Sequence, residues 1–234
     1  MIRAVLFDLG GTLDGDGLHW LDRFAAMYAD AGVFLPGQRV REAFDEAERR
    51  AATDDEMAVA HLETMIERHV GWQLEHLAAE ASLQPELAGR LVGAFVASIR
   101  SAAVSNVRLL AELFGRGLRL GVVSNGCGNV DVLCGDLGYA PYLSAIVDSR
   151  RVGLFKPDPA IFIHAAAKLG APASAVMMVG DSFDRDIRPA KSLGMTTAWL
   201  EGPAPRDCAD PSLVDIRLRR LAELSTVFEA RTVA

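Results

Sequence analysis

Close to the amino terminus, the run Val5-Leu6-Phe7-Asp8-Leu9-Gly10-Gly11-Thr12-Leu13 limits the architecture more than any other stretch of the chain. The segment from Ile2 to Phe7, apolar except for Arg3, reads as a buried strand that stops at an acid and turns at once on two glycines. In an open α/β sheet ligands gather outside the carboxyl ends of strands, so Asp8 is presented where chemistry is done. Two readings of Asp8 stand at this point, a capping residue that opens a helix and a nucleophile. The second needs partners from elsewhere in the chain.

The chain has 234 residues, half of them hydrophobic, enough for one large domain or a core with a smaller companion. A formal net charge of −7 gives no electrostatic footprint for nucleic acid or for an anionic membrane. No uninterrupted apolar run reaches the roughly 18 residues that would mark a membrane span, and the first residues lack the pattern of a signal peptide. Cys127, Cys134 and Cys208 form no CxxC pair and read as free thiols, the expectation for a cytoplasmic protein. Lysine is scarce: only Lys156, Lys168 and Lys191 are present, so any mechanism that needs one has few candidates.

After a short acidic, glycine-rich link, Asp14 to Gly17, nearly everything to about Arg100 reads as helix. Apolar residues at helical spacing mark one helix from Trp20 to Ala31, stopping at Gly32, and a second through Val40, Phe44 and Ala47. A third runs through Val59, Leu62, Ile66 and Val70 with Thr53 or Asp54 as its cap, a fourth through Leu74, Leu77 and Ala81, and a fifth starts near Pro85. From there the pattern alternates. A helix at Val107 to Phe114 precedes strands at Leu120 to Val123, Ala145 to Val147, Val176 to Val179, Thr196 to Leu200 and Leu213 to Ile216, with helices at Pro159 to Leu169, Ile187 to Leu193 and Leu218 to Phe228. Residues 231 to 234 read as a frayed end. The expected fold is α/β: a Rossmann-like, doubly wound parallel sheet, residues 1–14 and 104–234, with an inserted α-helical bundle at 15–103.

Three of these strands end in groups suited to a phosphate site: Asp8, then Ser124-Asn125, then Gly180-Asp181 with Asp184 and Asp186 beyond, while Lys156 stands between the last two. Carboxylates gathered from separate strands repel one another, and a hard cation such as Mg²⁺ relieves that repulsion through oxygen coordination. Taken singly, Lys156 is a solvated surface lysine, Ser124-Asn125 an ordinary polar turn and Asp181-Ser182 a helix cap. Their conjunction, in this order and at these strand ends, is what signifies.

In these four ordered motifs, and in the helical insertion after the first, the chain resembles the haloacid dehalogenase-like hydrolases over essentially its whole length. The resemblance implies a helical cap of the first type and a role for each matched position. Asp8 would attack phosphorus to form an aspartyl-phosphate, with Lys156 beside it. Gly11, Thr12, Ser124, Asn125 and Lys156 would bind the phosphoryl group. Mg²⁺ would be held by Asp8, by the backbone carbonyl of Gly10 and by Asp181, with Asp186 in support. The implied activity is hydrolysis of a small phosphorylated metabolite by a monomer or homodimer.

One departure stands out. The family's phosphatases carry an acid where Gly10 stands, and that acid protonates the leaving oxygen and then activates water. Glycine leaves the main-chain metal contact and removes the acid–base group, worth about 10²–10⁴-fold. Slow turnover of alkyl phosphates follows, with aryl or acyl phosphates faster, unless Asp14 or Asp16 substitutes or the protein is catalytically silent. The family's phosphonate hydrolases need a cap lysine, and Leu13 to Ser105 contains none. Its metal-independent dehalogenases usually have an aromatic residue in place of Gly10 and Ser-x-Asn in place of Gly180-Asp181, so Gly180-Asp181 favours metal-dependent phosphate chemistry. The five histidines read as surface or core-edge residues, Cys127 as a bystander thiol, and Trp20, Phe24 and Tyr28 as bundle core. Arg49-Arg50 reads as a solvated helix face, the alternative being contact with an anionic substrate.

Overall fold

The computed structural model describes residues 1–78 and 86–230. Six parallel strands form one sheet in the order β3-β2-β1-β4-β5-β6. They are β1 (Ala4–Phe7), β2 (Arg119–Ser124), β3 (Leu143–Asp148), β4 (Val176–Gly180), β5 (Thr196–Leu200) and β6 (Ile216–Leu218). The strand that opens the chain is thus central, paired with β2 on one side and β4 on the other, and the connectivity reverses between β1 and β4. A reversal of this kind opens a crevice at the carboxyl edge of the sheet. All four residues of β1 are fully buried because both faces of the sheet are covered.

Alternation along β1 divides the interior. Ala4 and Leu6 face a core built with α7 (Pro159–Lys168) and α8 (Arg188–Ser192), while Val5 and Phe7 face a larger one. That larger core runs without a break from the sheet into the helical bundle of α1 (Trp20–Asp30), α2 (Gly37–Ala51), α3 (Leu62–Leu77) and α4 (Leu87–Gly115). The shorter helices α5 (Val130–Asp136), α6 (Ser149–Val152) and α9 (Leu224–Ala230) complete the fold.

Several expectations about element limits are corrected. The fifth helix and the one expected at Val107 to Phe114 are a single helix, α4, which passes unbroken through positions 103 and 104. Its buried stripe continues through Ile99, Ala103, Asn106 and Leu110. The polar member, Asn106, is satisfied by donating to the Leu13 carbonyl at 2.7 Å. By length and composition alone α4 could cross a membrane, but its apolar stripe packs into this core. The third and fourth helices likewise merge in α3, because the polar residues His69 and Gln73 lie on its buried face. Ala81, Pro85 and residues 231 to 234 lie outside the described residues.

Thr53 and Asp54 do not cap α3. Asp54 accepts from Glu56 and Met57 at a separate short turn, and the first amide of α3, that of Leu62, donates to Asp136 of α5 at 2.9 Å. The last strand lies at Ile216–Leu218, after a tight turn at Pro211–Leu213, and the final helix begins at Leu224 after another turn at Leu221–Glu223.

Candidate active site

Asp8 directly follows β1, and its amide donates to the Val179 carbonyl of β4 at 3.0 Å, so the sheet itself fixes where the carboxylate starts. Lys156 Nζ reaches Asp8 Oδ1 at 2.6 Å and Asp186 Oδ1 at 2.7 Å, with all three side chains buried. Asp181 completes the group: one carboxylate oxygen from each of Asp8, Asp181 and Asp186 lies within 4.8 Å of the others. Burial lowers the Lys156 ammonium, but the charges of Asp186 and Asp8 outweigh it and leave the lysine above its ordinary value. Burial, then the charges of Asp8 and Asp186, push Asp181 up to about 8. Burial also raises Asp186, against the pull of Lys156.

Two glycines make this packing possible. A Cβ on Gly180 would stand 2.4 Å from Asp186 Oδ2, and one on Gly11 would stand 2.7 Å from Asp181 Oδ2. At Gly11 a φ of +83° excludes most other residues as well. Three buried acids against one lysine, all with oxygen donors, fit a small divalent cation.

The other positions singled out in the sequence divide. Ser124 ends β2, is buried, and lines a cavity of about 170 Å³ with Asp8, Gly10 and Lys156. Asn125 lines it too, but its amide is engaged on both sides by the Lys156 backbone, receiving from N–H at 2.8 Å and donating to C=O at 2.9 Å. Gly11 and Thr12, expected on the phosphoryl group, do not line this cavity. The Gly11 amide donates to Asp14 Oδ1, and Thr12 Oγ1 accepts from the Asp181 amide at 3.1 Å, so both residues position acids. Asp184 is exposed and pairs with Arg188. Of the two proposed substitutes for the missing acid, Asp16 turns away to accept from the Leu221 amide, while Asp14 reaches the cavity. Asp14 Oδ2 accepts from Trp20 Nε1 at 2.6 Å, and burial raises its carboxyl despite Arg23, Trp20 and the Gly11 amide.

The bundle closes the cavity from the other side with Trp20, Phe44, Met57 and Met65, together with the polar side chains of His19, Glu48 and His69. This corrects two expectations. Trp20 is wall as well as core. His69 is 1% exposed, inside the bundle, and bonded to Glu48 at 3.0 Å. Arg49 and Arg50 keep to the solvated helix face expected of them and pair with Glu46, and the residue of that helix turn facing the cavity is Glu48. No motif announces Glu48 or His69. The available signal was that His69 and Gln73 fall four apart, on the same stripe as Ile66 and Leu77. Cys127 lines the cavity too, but burial and the nearby acids push its thiol up to about 12, so it stays protonated, and all three cysteines are free.

A sequence profile of the haloacid dehalogenase-like hydrolases matches residues 2–194. Phosphoserine phosphatase of Thermus thermophilus is 30% identical over 99% of this chain and 92% of its own length. Glyceraldehyde 3-phosphate phosphatase of Methanocaldococcus jannaschii is 33% identical over 50% of this chain, which spans about half of that enzyme, 52%. A solved structure described as a dehalogenase superposes with a TM-score of 0.67 at 20% identity over 97% of this chain and 96% of that one, a likeness of fold. The profile covers the strand ends and acids described above, and the chain belongs to the haloacid dehalogenase-like hydrolase family.

Proposed function

We propose that the protein is a Mg²⁺-dependent phosphatase of a small phosphate ester, with Asp8 as nucleophile. The observation that carries this reading is the buried cluster of Asp8, Asp181 and Asp186 around a single lysine. Asp8, Asp181 and the Gly10 carbonyl would hold the cation, with Asp186 in support, and its charge would offset that of the phosphate and carboxylates. A carboxylate oxygen of Asp8 attacks phosphorus, and the bond to the leaving oxygen breaks with its electron pair. Lys156 orients the Asp8 carboxylate, and Ser124 offers a hydroxyl to the phosphoryl oxygens. Water then attacks the aspartyl-phosphate, freeing phosphate and restoring Asp8.

Two curated relatives carry phosphatase names, which supports the reaction class. The bundle, residues 15–103 in this proposal, acts as a cap that seals the cavity from water. At about 170 Å³ the cavity is smaller than the roughly 300–1,000 Å³ of sites for drug-sized ligands, which favours a small leaving group. The test is phosphate release from a panel of esters with and without Mg²⁺, alongside halide release from 2-haloacids. Mg²⁺-dependent phosphate release supports the proposal. Halide release without metal would replace it with the dehalogenase reaction, and silence in both assays would leave a binding protein.

A further inference from the structure

Among the described residues, the bundle side of the cavity carries one anionic side chain, Glu48, among mostly apolar neighbours. A chain of buried polar groups stands behind it. Tyr28 OH donates to Gln73 Oε1 at 3.2 Å, and Gln73 Nε2 meets His69 Nδ1 at 2.9 Å. His69 Nε2 meets Glu48 Oε1 at 3.0 Å. With its oxygen occupied by Tyr28, the Gln73 amide presents N–H to His69 Nδ1, so the ring proton lies on Nε2 and is donated to Glu48. The ring is held in place by stacking on Phe24, with 5.4 Å between centroids and 7° between planes.

Burying three polar side chains is costly unless each is satisfied, and here each is satisfied in a line that ends on one carboxylate. That carboxylate is itself about half-exposed, 51%, and lies against the cavity. Among the described residues it pairs with His69 and with no lysine or arginine within ion-pair distance. Arg185, an exposed residue that also lines the cavity, is turned to His19 at 3.1 Å instead. Burial raises the Glu48 carboxyl, but the hydrogen bond from His69 and the positive charge nearby, Arg185 included, outweigh it and keep it below its ordinary value. A fixed, ionised carboxylate without a full cationic partner is a receptor for one.

We infer that the substrate's leaving group carries an ammonium group and that Glu48 receives it, with His69 and Gln73 as positioning residues. The inference rests on the phosphatase reading for the other end of the ligand. The leaving group would be small and mostly hydrocarbon, in keeping with Trp20, Phe44 and Met65 in the lining of the same cavity, and would carry its positive charge away from the phosphate.

The probes are phosphoethanolamine, 2-hydroxyethyl phosphate and phosphoglycolate, which place a positive, a neutral and a negative group at the same end. Their dissociation constants are measured by calorimetry with Mg²⁺ on Asp8→Asn protein, so that binding is read whether or not turnover occurs. The ammonium ester should bind about 10- to 100-fold tighter than the hydroxyethyl ester, the scale of one charge-assisted hydrogen bond, and phosphoglycolate weakest. Adding Glu48→Gln should bring the first two to near equality. Equal affinities before that substitution, or a preference that survives it, would overturn the inference. In wild-type protein the same ranking should appear in kcat/KM. Failure to release phosphate from all three, with the binding preference intact, would count against the phosphatase reading alone.

Discussion

The cavity has two walls that the chain builds by different means. At the strand ends, function rests on charge that cannot be moved: Lys156 is clamped between Asp8 and Asp186, and Gly180 and Gly11 give up their side chains so that the acids fit. On the bundle wall it rests on a hydrogen-bonded line within packed helices, from Tyr28 to Glu48. The first wall should therefore govern whether reaction occurs, the second which molecule reacts. Substitutions on the two walls should differ in kind.

The largest effect is expected at Lys156. Lys156→Met leaves Asp8 and Asp186 facing each other in a buried site, and breaking such a pairing typically costs about 3–5 kcal/mol. Denaturant unfolding should show that loss at pH 7.5 and less of it at lower pH, because burial raises the Asp186 carboxyl and protonation would remove its charge, and activity should vanish. A loss that does not depend on pH would mean that packing, not charge, is what Lys156 supplies. By contrast, Glu48→Gln on the other wall should alter substrate preference with little change in stability.

Gly10 lies between the walls. A Cβ there would meet only Trp20 Nε1, at 3.8 Å, so an aspartate can enter without displacing backbone. Gly10→Asp should raise kcat on alkyl phosphates by up to about 10²-fold and on aryl phosphates far less, since general acid catalysis matters most for poor leaving groups. An equal change for both, or none, would point to Asp14 or another group as the acid already present.

A smaller effect is expected from metal and pH together. With Asp181 raised to about 8, the folded protein holds a proton that the unfolded chain releases near 3.8. This group's contribution to metal-free stability therefore declines as pH rises through that window. Mg²⁺ competes with the proton, so its shift of the melting temperature should be larger at pH 8 than at pH 5.5. A shift that is absent, or equal at both values, would contradict a cation among these carboxylates.

Legibility in the sequence followed the same division. Asp8, Ser124 and Asp181 are legible because strand ends are marked by local pattern and a parallel sheet brings successive ends to one edge, while Lys156 and Asp186, off the strands, are legible only as members of the ordered motifs. Thr12 and Asn125 belonged to the right motifs, but their hydrogen bonds go to Asp181 and to the Lys156 backbone, which pattern alone does not reveal. Glu48 and His69 carry no such mark, because a helix residue acquires its surroundings only when helices pack, and a buried histidine among charged neighbours looks in sequence like a surface position. The continuity of helix α4 is hidden for a related reason: Asn106 interrupts its apolar stripe and donates to the Leu13 carbonyl, 93 positions away in the chain.

Phosphate release by wild-type and Asp8→Asn protein, each with Mg²⁺ and with chelator, decides whether Asp8 is a nucleophile that works with a bound cation. Release is expected from the wild type with Mg²⁺ only, and none from Asp8→Asn although it folds and still binds the ester. Release that survives in Asp8→Asn, or that proceeds equally with chelator, would contradict that role.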